Sequence, residues 1–207
     1  MLRRLFIAIT SSIALFGVAL GGECLTLYRA GLQWQPPPYF QCVFLTFLVY
    51  LALGVVVMIK GKSYMRLLGV LILFFPLILR FSFDEAKRSS LPAYLAGFSR
   101  AVRTKDLSPV KQWASGHLPG TASSWVSIEE PKVLAEFPRA LPQGWCRFSL
   151  MQVSENGDYE VKMLWGWGHN PSYGIFIESA EENGPVHEQL AFLERKIGPG
   201  VWVCIFK

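Results

Sequence analysis

The chain has 207 residues, of which 52% are hydrophobic, and its formal net charge is +5. The charge is uneven: residues 1–83 carry seven Lys and Arg against one acid, whereas residues 84–207 carry thirteen Lys and Arg against fourteen Asp and Glu. A domain with this near-neutral balance lacks the basic surface of a nucleic-acid-binding protein. Nucleic acid is therefore excluded as an expected partner, and the cations before Asp84 belong to the ends of membrane helices.

Three hydrophobic segments lie before Asp84. Their approximate bounds are 5–22, 40–59 and 67–83. About twenty apolar residues in a helix cross the hydrocarbon core of a bilayer, and the second segment meets this requirement without a charge. The sequence therefore predicts a membrane protein, with three amino-terminal transmembrane helices over 1–83 and a small α+β domain over 84–207.

The first and third segments each leave an alternative open. The first has the basic start, the apolar middle and the small residues near Ala19 that are typical of a cleaved signal peptide. The third has only thirteen apolar residues between Arg66 and Arg80, with Pro76 among them, which also fits a re-entrant segment. We expect an uncleaved first helix and a third crossing, because long arginine side chains can extend to the headgroups and membrane helices tolerate proline.

The loop charges predict the orientation. The loop over residues 23–39 has one Lys or Arg, whereas the shorter loop over residues 60–66 has three. Positively charged loops remain in the cytoplasm, so the amino terminus, with Arg3 and Arg4, is expected inside. Three crossings would place the domain outside, whereas two would return it to the cytoplasm.

After Asp84 the pattern changes to that of a soluble domain. Apolar residues at helical spacing between Leu91 and Val102 predict a helix. Its basic end would also suit a helix lying on the bilayer, but packing against the domain's own sheet is the favoured interpretation. A second short helix is predicted over residues 106–115.

Strands are predicted at residues 145–153, 159–165, 173–177 and 200–206, with a short one near 125–128. The Asn156-Gly157 pair between the first two long strands is a strong hairpin signal, so the sheet is expected to be mainly antiparallel. Apolar residues at helical spacing from Val186 to Ile197 predict a helix that ends at Gly198. The alternative is a hairpin with its turn at residues 198–200.

Aromatic residues are concentrated just after the second long strand, and they are the candidate binding site. Within nine residues the chain places Trp165, Trp167, His169 and Tyr173. Strand alternation sends the two tryptophans and the histidine to one side, where they form either an apolar recognition patch or part of the core. Solvent exposure decides between these two interpretations.

The four cysteines form two topological pairs, Cys24 with Cys42 and Cys146 with Cys204. An extracytoplasmic location would permit disulfides in both pairs. For the pair in the domain, the alternative is a role as small buried hydrophobic residues.

No motif indicates a metal, a cofactor or a catalytic residue. The histidines share no metal-ligand spacing, and GxSxG, P-loop and Rossmann patterns do not occur. We therefore expect no cofactor, and an enzyme is not the favoured interpretation.

The sequence is typical of a membrane-anchored binding or interaction module in the cytoplasmic (inner or plasma) membrane, with its amino terminus inside and its domain outside. Besides the lipid bilayer, the expected partners are another membrane protein or a peptide or sugar ligand. One alternative is a membrane-bound hydrolase that uses His169 with an acid such as Asp158 or Glu178. The other is a structural subunit of a membrane complex.

Overall fold

A computed structural model describes residues 2–35, 38–60, 69–75, 78, 90–117, 126–127, 137–138, 141, 146–153, 158–165, 172–179 and 191–206. The chain divides into two compact units. The first comprises Met1–Leu27 and Pro38–Ala93, and the second comprises Tyr28–Pro37 and Tyr94–Lys207. The boundary therefore lies ten residues after the predicted one, and a short segment that follows the first hydrophobic stretch belongs to the second unit.

The first unit is helical. Helix α1 spans Leu2–Leu32 and helix α2 spans Tyr39–Lys60, and residues 69–75 are also helical. The helices expose many large apolar side chains, which include Phe6, Ile13, Val18, Phe44, Leu45, Phe47, Val55 and Val56. Soluble proteins rarely expose contiguous apolar surface of this extent, so this surface is typical of helices in contact with lipid.

One described helix is long and apolar enough to cross a membrane, and it covers Ile9–Leu32 within α1. Its 24 residues rise about 36 Å, more than the ~30 Å of a hydrocarbon core. The prediction of three transmembrane helices is not supported. The apolar part of α2 is shorter, Phe44–Val56, and most of the predicted third segment lies outside the described residues.

Two buried or partly buried polar side chains of the first unit form hydrogen bonds within that unit. Ser90 donates a hydrogen bond to the buried carboxylate of Glu23, and Ser12 donates one to the Ile72 carbonyl at 3.0 Å. Because an unsatisfied polar group is costly in an apolar environment, these bonds allow a helix of this hydropathy to contain a carboxylate.

The second unit is an α+β domain. Helix α3 spans Leu91–Arg103 and continues into this unit from Tyr94, and helix α4 spans Ser108–Gly116. The strands are β1 Val126–Ser127, β2 Cys146–Gln152, β3 Tyr159–Trp165, β4 Ser172–Glu178, β5 Ala191–Gly198 and β6 Val201–Phe206. They form an antiparallel sheet in the order β1-β2-β3-β4-β6-β5. The predicted α+β class with an antiparallel sheet is confirmed.

The helices pack on one face of this sheet, which we call the inner face. The stripe of α3 is buried as predicted, with Tyr94, Phe98 and Val102 fully inaccessible. The hydroxyl of Tyr159 on β3 donates a hydrogen bond to the Lys111 carbonyl of α4 at 2.9 Å. Helix α3 therefore covers the domain's own sheet and not the bilayer.

The helix predicted from Val186 to Ile197 is wrong for its described part. Residues Ala191–Gly198 form strand β5, which pairs with β6, and Gly200 adopts a φ of +60° in the turn between them. The alternative hairpin is the correct interpretation. Two register shifts in β5 change the side to which side chains point, so a strand can carry apolar residues at a spacing that imitates a helix.

The end of α1 is part of the domain. Gln35 N donates to the Ala30 carbonyl at 3.0 Å and Trp34 N to the Gly31 carbonyl at 3.2 Å, which is the Schellman pattern that closes a helix. The residue in the left-handed conformation, usually a glycine, is Trp34, with a φ of 58°. A non-glycine residue pays roughly 1–2 kcal/mol there, and packing of the indole offsets this cost.

Two glycines allow the end of α1 to lie directly against α3. A Cβ atom at Gly31 would lie 2.5 Å from the Tyr94 carbonyl oxygen, and one at Gly97 would collide with the Tyr28 carbonyl. Only glycine therefore fits at either position, and the two backbones touch.

Candidate functional site

The described members of the predicted binding cluster are buried. Trp165 is 3% exposed and Tyr173 is 2% exposed, and the two rings stack with their centroids 6.0 Å apart. Of the two interpretations offered by the sequence, burial fits the one in which these rings are part of the core. These two side chains therefore do not form a recognition patch. Trp167 and His169 lie outside the described residues, and their role stays a prediction.

Trp165 and Tyr173 hold the end of α1 onto the sheet. The Trp34 ring packs edge-on against Phe98 at 5.0 Å and against Trp165 at 5.6 Å. The Tyr173 hydroxyl donates to the Trp34 carbonyl at 3.1 Å, and the Tyr94 hydroxyl donates to the Gln35 carbonyl at 2.9 Å. We call these five rings the aromatic core; its hydrogen bonds and edge contacts fix the segment after the candidate span.

The strand order argues against the disulfide that the sequence left possible between Cys146 and Cys204. Cys146 lies on β2 and Cys204 on β6, and strands β3 and β4 lie between them. Three strand spacings of ~4.8 Å amount to about 14 Å, twice the ~7 Å limit for a disulfide. Cys204 is a buried thiol, and the possible Cys24–Cys42 disulfide stays a prediction.

The second face of the sheet, which we call the outer face, carries charged and aromatic side chains together. It is formed by Arg147, Ser149, Met151, Glu160, Lys162, Leu164, Phe176, Glu178, Glu194, Lys196, Trp202, Cys204 and Phe206. Phe176, Cys204 and Phe206 form a small apolar cluster there, with Leu164 and Trp202 packed against it. The side chains of Phe176, Cys204 and Phe206 are at most 8% exposed, so this cluster is a small buried core on the outer face and not an open surface.

One row of this face crosses four strands and places two adjacent aromatic rings between two lysines. Lys162, Phe176, Trp202 and Lys196 are successive cross-strand partners, and we call them the Lys–aromatic row. The Lys162 ammonium lies 5.5 Å from the centroid of Phe176, and the Lys196 ammonium lies 5.3 Å from that of Trp202. Each such contact contributes about 0.5–2 kcal/mol, more when it is desolvated.

Burial differs along the row. Phe176 is buried, Lys162 and Trp202 are half-buried, and Lys196 is exposed. Burial lowers the pKa of Lys162, although the side chain of Cys204 opposes this change. The Trp202–Lys196 end is therefore the part of the row that a second molecule can reach.

Two buried carboxylates lie beside the row. Glu160 and Glu178 are direct cross-strand partners and are only 3% and 4% exposed. Burial, and secondarily the charge of Glu160, raises the pKa of Glu178 to about 7, against the opposing effects of Lys196 and the Trp202 indole. Glu178 is therefore close to half-protonated at neutral pH.

The sequence analysis missed the outer face. The alternation Glu160-Lys162-Leu164 opposite Val161 and Met163 gave a local signal, because charged residues recur at strand period. Which residues of β4, β5 and β6 join them depends on the strand order, which no local pattern contains.

Metal ligands and histidines add no site among the described residues. No group of three or more His, Cys, Asp and Glu side chains there could hold a metal ion. The His117 ring stacks on Trp113 at 4.8 Å and its Nδ1 lies 2.9 Å from the Trp113 carbonyl, which is a structural role at the end of α4.

No family model, no curated protein and no solved structure matches this chain. The functional interpretation therefore rests on the geometry of the chain itself.

Proposed function

We propose that the protein is a membrane-anchored binding module in the cytoplasmic membrane that presents its domain on the extracytoplasmic side. The observation that carries this proposal is the aromatic core. Trp34 and Gln35 follow the candidate span directly and are fixed within the domain by two tyrosine hydroxyls. The last residues of the span, from Tyr28 onward, belong to the same compact unit as the domain.

The exposed apolar surface of α1 and α2 supports the membrane anchor. Side chains such as Val18 and Phe44, which are 75% and 53% exposed, would face water in a soluble protein. In a bilayer the same side chains are in their preferred solvent.

The two segments of the chain that form the second unit support the orientation. Tyr28–Pro37 and Tyr94–Lys207 belong to one compact unit. Residues 38–93, which connect these two segments, must therefore begin and end on the same side of the membrane. They cross it either not at all or twice. In both cases a crossing by α1 puts the domain on the side opposite Arg3 and Arg4, which the positive-inside rule keeps in the cytoplasm.

A reporter that is active only outside the cytoplasm tests this orientation. Fused after Lys207 it should be active, and a cytoplasmic reporter at the same position should be inactive. The opposite result would overturn the orientation. A second fusion at Gly61 shows whether residues 38–93 cross the membrane twice or not at all. A reporter at this position is cytoplasmic only if they cross twice.

The accessible end of the Lys–aromatic row is the proposed recognition surface. Trp202 offers an aromatic ring and Lys196 an exposed ammonium group. Aromatic residues with a polar end are enriched at binding hot spots. The matching partner is a peptide or protein segment that combines an apolar side chain with a carboxylate.

Site-specific photo-crosslinking tests this surface in intact membranes. A photoreactive residue at Lys196 should give a discrete adduct, and the same residue at the neighbouring Arg195, which is also exposed but on the other side of β5, should not. Trp202→Ala should remove the adduct. Equal labelling from both positions would contradict the proposal.

The hydrolase alternative receives less support from the described residues. The buried Glu160–Glu178 pair is closed to solvent, at 3% and 4% exposure, whereas a substrate must reach a catalytic carboxylate. His169 lies outside the described residues, so that alternative stays a prediction.

A further inference from the structure

A second surface of the domain is a groove that shares no residue with the Lys–aromatic row. It has a cavity volume of about 340 Å³ and lies where the end of α3, the start of α4 and the β5–β6 turn meet. Arg103, Lys105 and Lys111 supply its cations, and Leu107, Ile197 and Pro199 supply much of its apolar wall. The groove therefore has a charged half and an apolar half.

The charge of the groove departs from that of the domain. Residues 84–207 carry thirteen Lys and Arg against fourteen Asp and Glu, yet the described residues that line the groove include three cations and no acid. A concave surface lined by charges of one sign focuses the local potential and attracts ions of the opposite sign.

The nearest acid in the sequence, Asp106, is committed to the helix start. Its Oδ1 accepts a hydrogen bond from Ser108 N at 3.0 Å, and this backbone bond lowers the pKa of Asp106. The following backbone amides in the first turn of α4 are also occupied. Val110 N and Lys111 N both donate hydrogen bonds to the Leu107 carbonyl. Recognition of an anion must therefore come from the three side chains and not from the helix terminus.

The β5–β6 turn, which forms one wall of the groove, has a fixed shape. Pro199 stands in a turn in which Gly200 has a φ of +60°, and Glu178 N donates to the Gly200 carbonyl at 2.7 Å. A Cβ atom at Gly200 would lie 2.5 Å from the Glu178 carbonyl oxygen. Because glycine is required there, the turn holds Pro199 in one position opposite the cations.

We propose that this groove binds the phosphate group of an organic phosphate, with the attached carbon group against the apolar wall. The planar guanidinium of Arg103 can hold two phosphate oxygens at once, and the ammonium groups of Lys105 and Lys111 neutralise the remaining charge. The phosphate can belong to an anionic lipid headgroup or to a soluble phosphomonoester. This inference goes beyond the recognition surface proposed above and does not depend on it.

The test uses the full chain in phosphatidylcholine nanodiscs. In one arm phenyl phosphate is added as the soluble probe, and in the other the nanodiscs contain equal parts of phosphatidylcholine and phosphatidic acid. A ligand that binds the folded state raises the melting temperature. A rise in the first arm identifies a soluble phosphate, and a rise only in the second identifies a lipid headgroup.

The variant Arg103→Gln/Lys105→Gln should weaken binding about tenfold or more in the responding arm, because it removes two of the three charged groups that would hold the phosphate. Both side chains are exposed, so the fold should be retained. The matched control is Arg147→Gln/Arg195→Gln, which removes two exposed cations outside the groove and should bind like the wild type. No rise in either arm, or a rise that the groove variant retains, would overturn the proposal.

Discussion

Substitution of Gly97 by alanine tests whether the end of α1 touches α3. The new Cβ would collide with the Tyr28 carbonyl oxygen and would lie 2.9 Å from its carbon and 3.2 Å from the Tyr28 Cα. These are backbone atoms, so the clash is relieved only if the two helices separate, which pulls Trp34 away from Phe98. Overpacking of this kind costs ~1–3 kcal/mol, whereas alanine contributes at most ~1 kcal/mol of helix propensity over glycine.

The expected net loss of stability is about 1–2 kcal/mol. In a chain of 207 residues this corresponds to a melting temperature lower by about 2–8 °C. Tryptophan fluorescence of the full chain in detergent measures it, because Trp34 and Trp165 both lie in the aromatic core.

The control is Gly116→Ala at the end of α4, where an added Cβ meets nothing within 4 Å. It should leave the melting temperature unchanged or raise it slightly. If Gly97→Ala were as stable as the wild type or more so, helix propensity would dominate. The close crossing of α1 and α3 would then be refuted.

Three further outcomes follow from buried groups. Trp165→Ala should cost ~3–5 kcal/mol in the same melting assay, as for other large aromatic residues removed from a core; unchanged stability would restore the exposed interpretation. The pKa of Glu178 is raised from 4.5 to about 7 in the folded state, so the folded state binds more protons between these values. Stability should therefore fall as pH rises from about 4.5 to about 7, and Glu178→Gln should flatten this slope; a wild-type profile as flat as that of the variant would contradict the assignment. A variant that retains only Cys146 and Cys204 should migrate identically on reducing and non-reducing gels, and a mobility shift would contradict the strand order.

Locally encoded elements were predicted well. The hairpin of β2 and β3 was placed within two residues at each end, because strand alternation and the Asn156-Gly157 pair are local signals. Helix α3 was likewise found from the spacing of its apolar residues, and the helix predicted over residues 106–115 corresponds to α4, Ser108–Gly116.

The errors concern information that is not local. Alternation places Trp165 on one side of β3 but does not state which side the helices cover, so burial of the ring could not be known in advance. Cys146 and Cys204 lie on strands as predicted, yet the two strands that separate them come from the order of the whole sheet. The β5 residues were assigned to a helix because their spacing fits one, and pairing with β6 overrides that preference.

The contact between Trp34 and Trp165 has a spectroscopic consequence. The two indoles lie 5.6 Å apart with their planes at 69°, a distance and angle at which the excited states of neighbouring chromophores mix. One indole comes from the turn that ends α1 and the other from β3, so the resulting circular dichroism couplet would vanish whenever the helix end left the sheet. The chain thus contains an intrinsic optical probe of the packing of the α1 end against the sheet, without any added label.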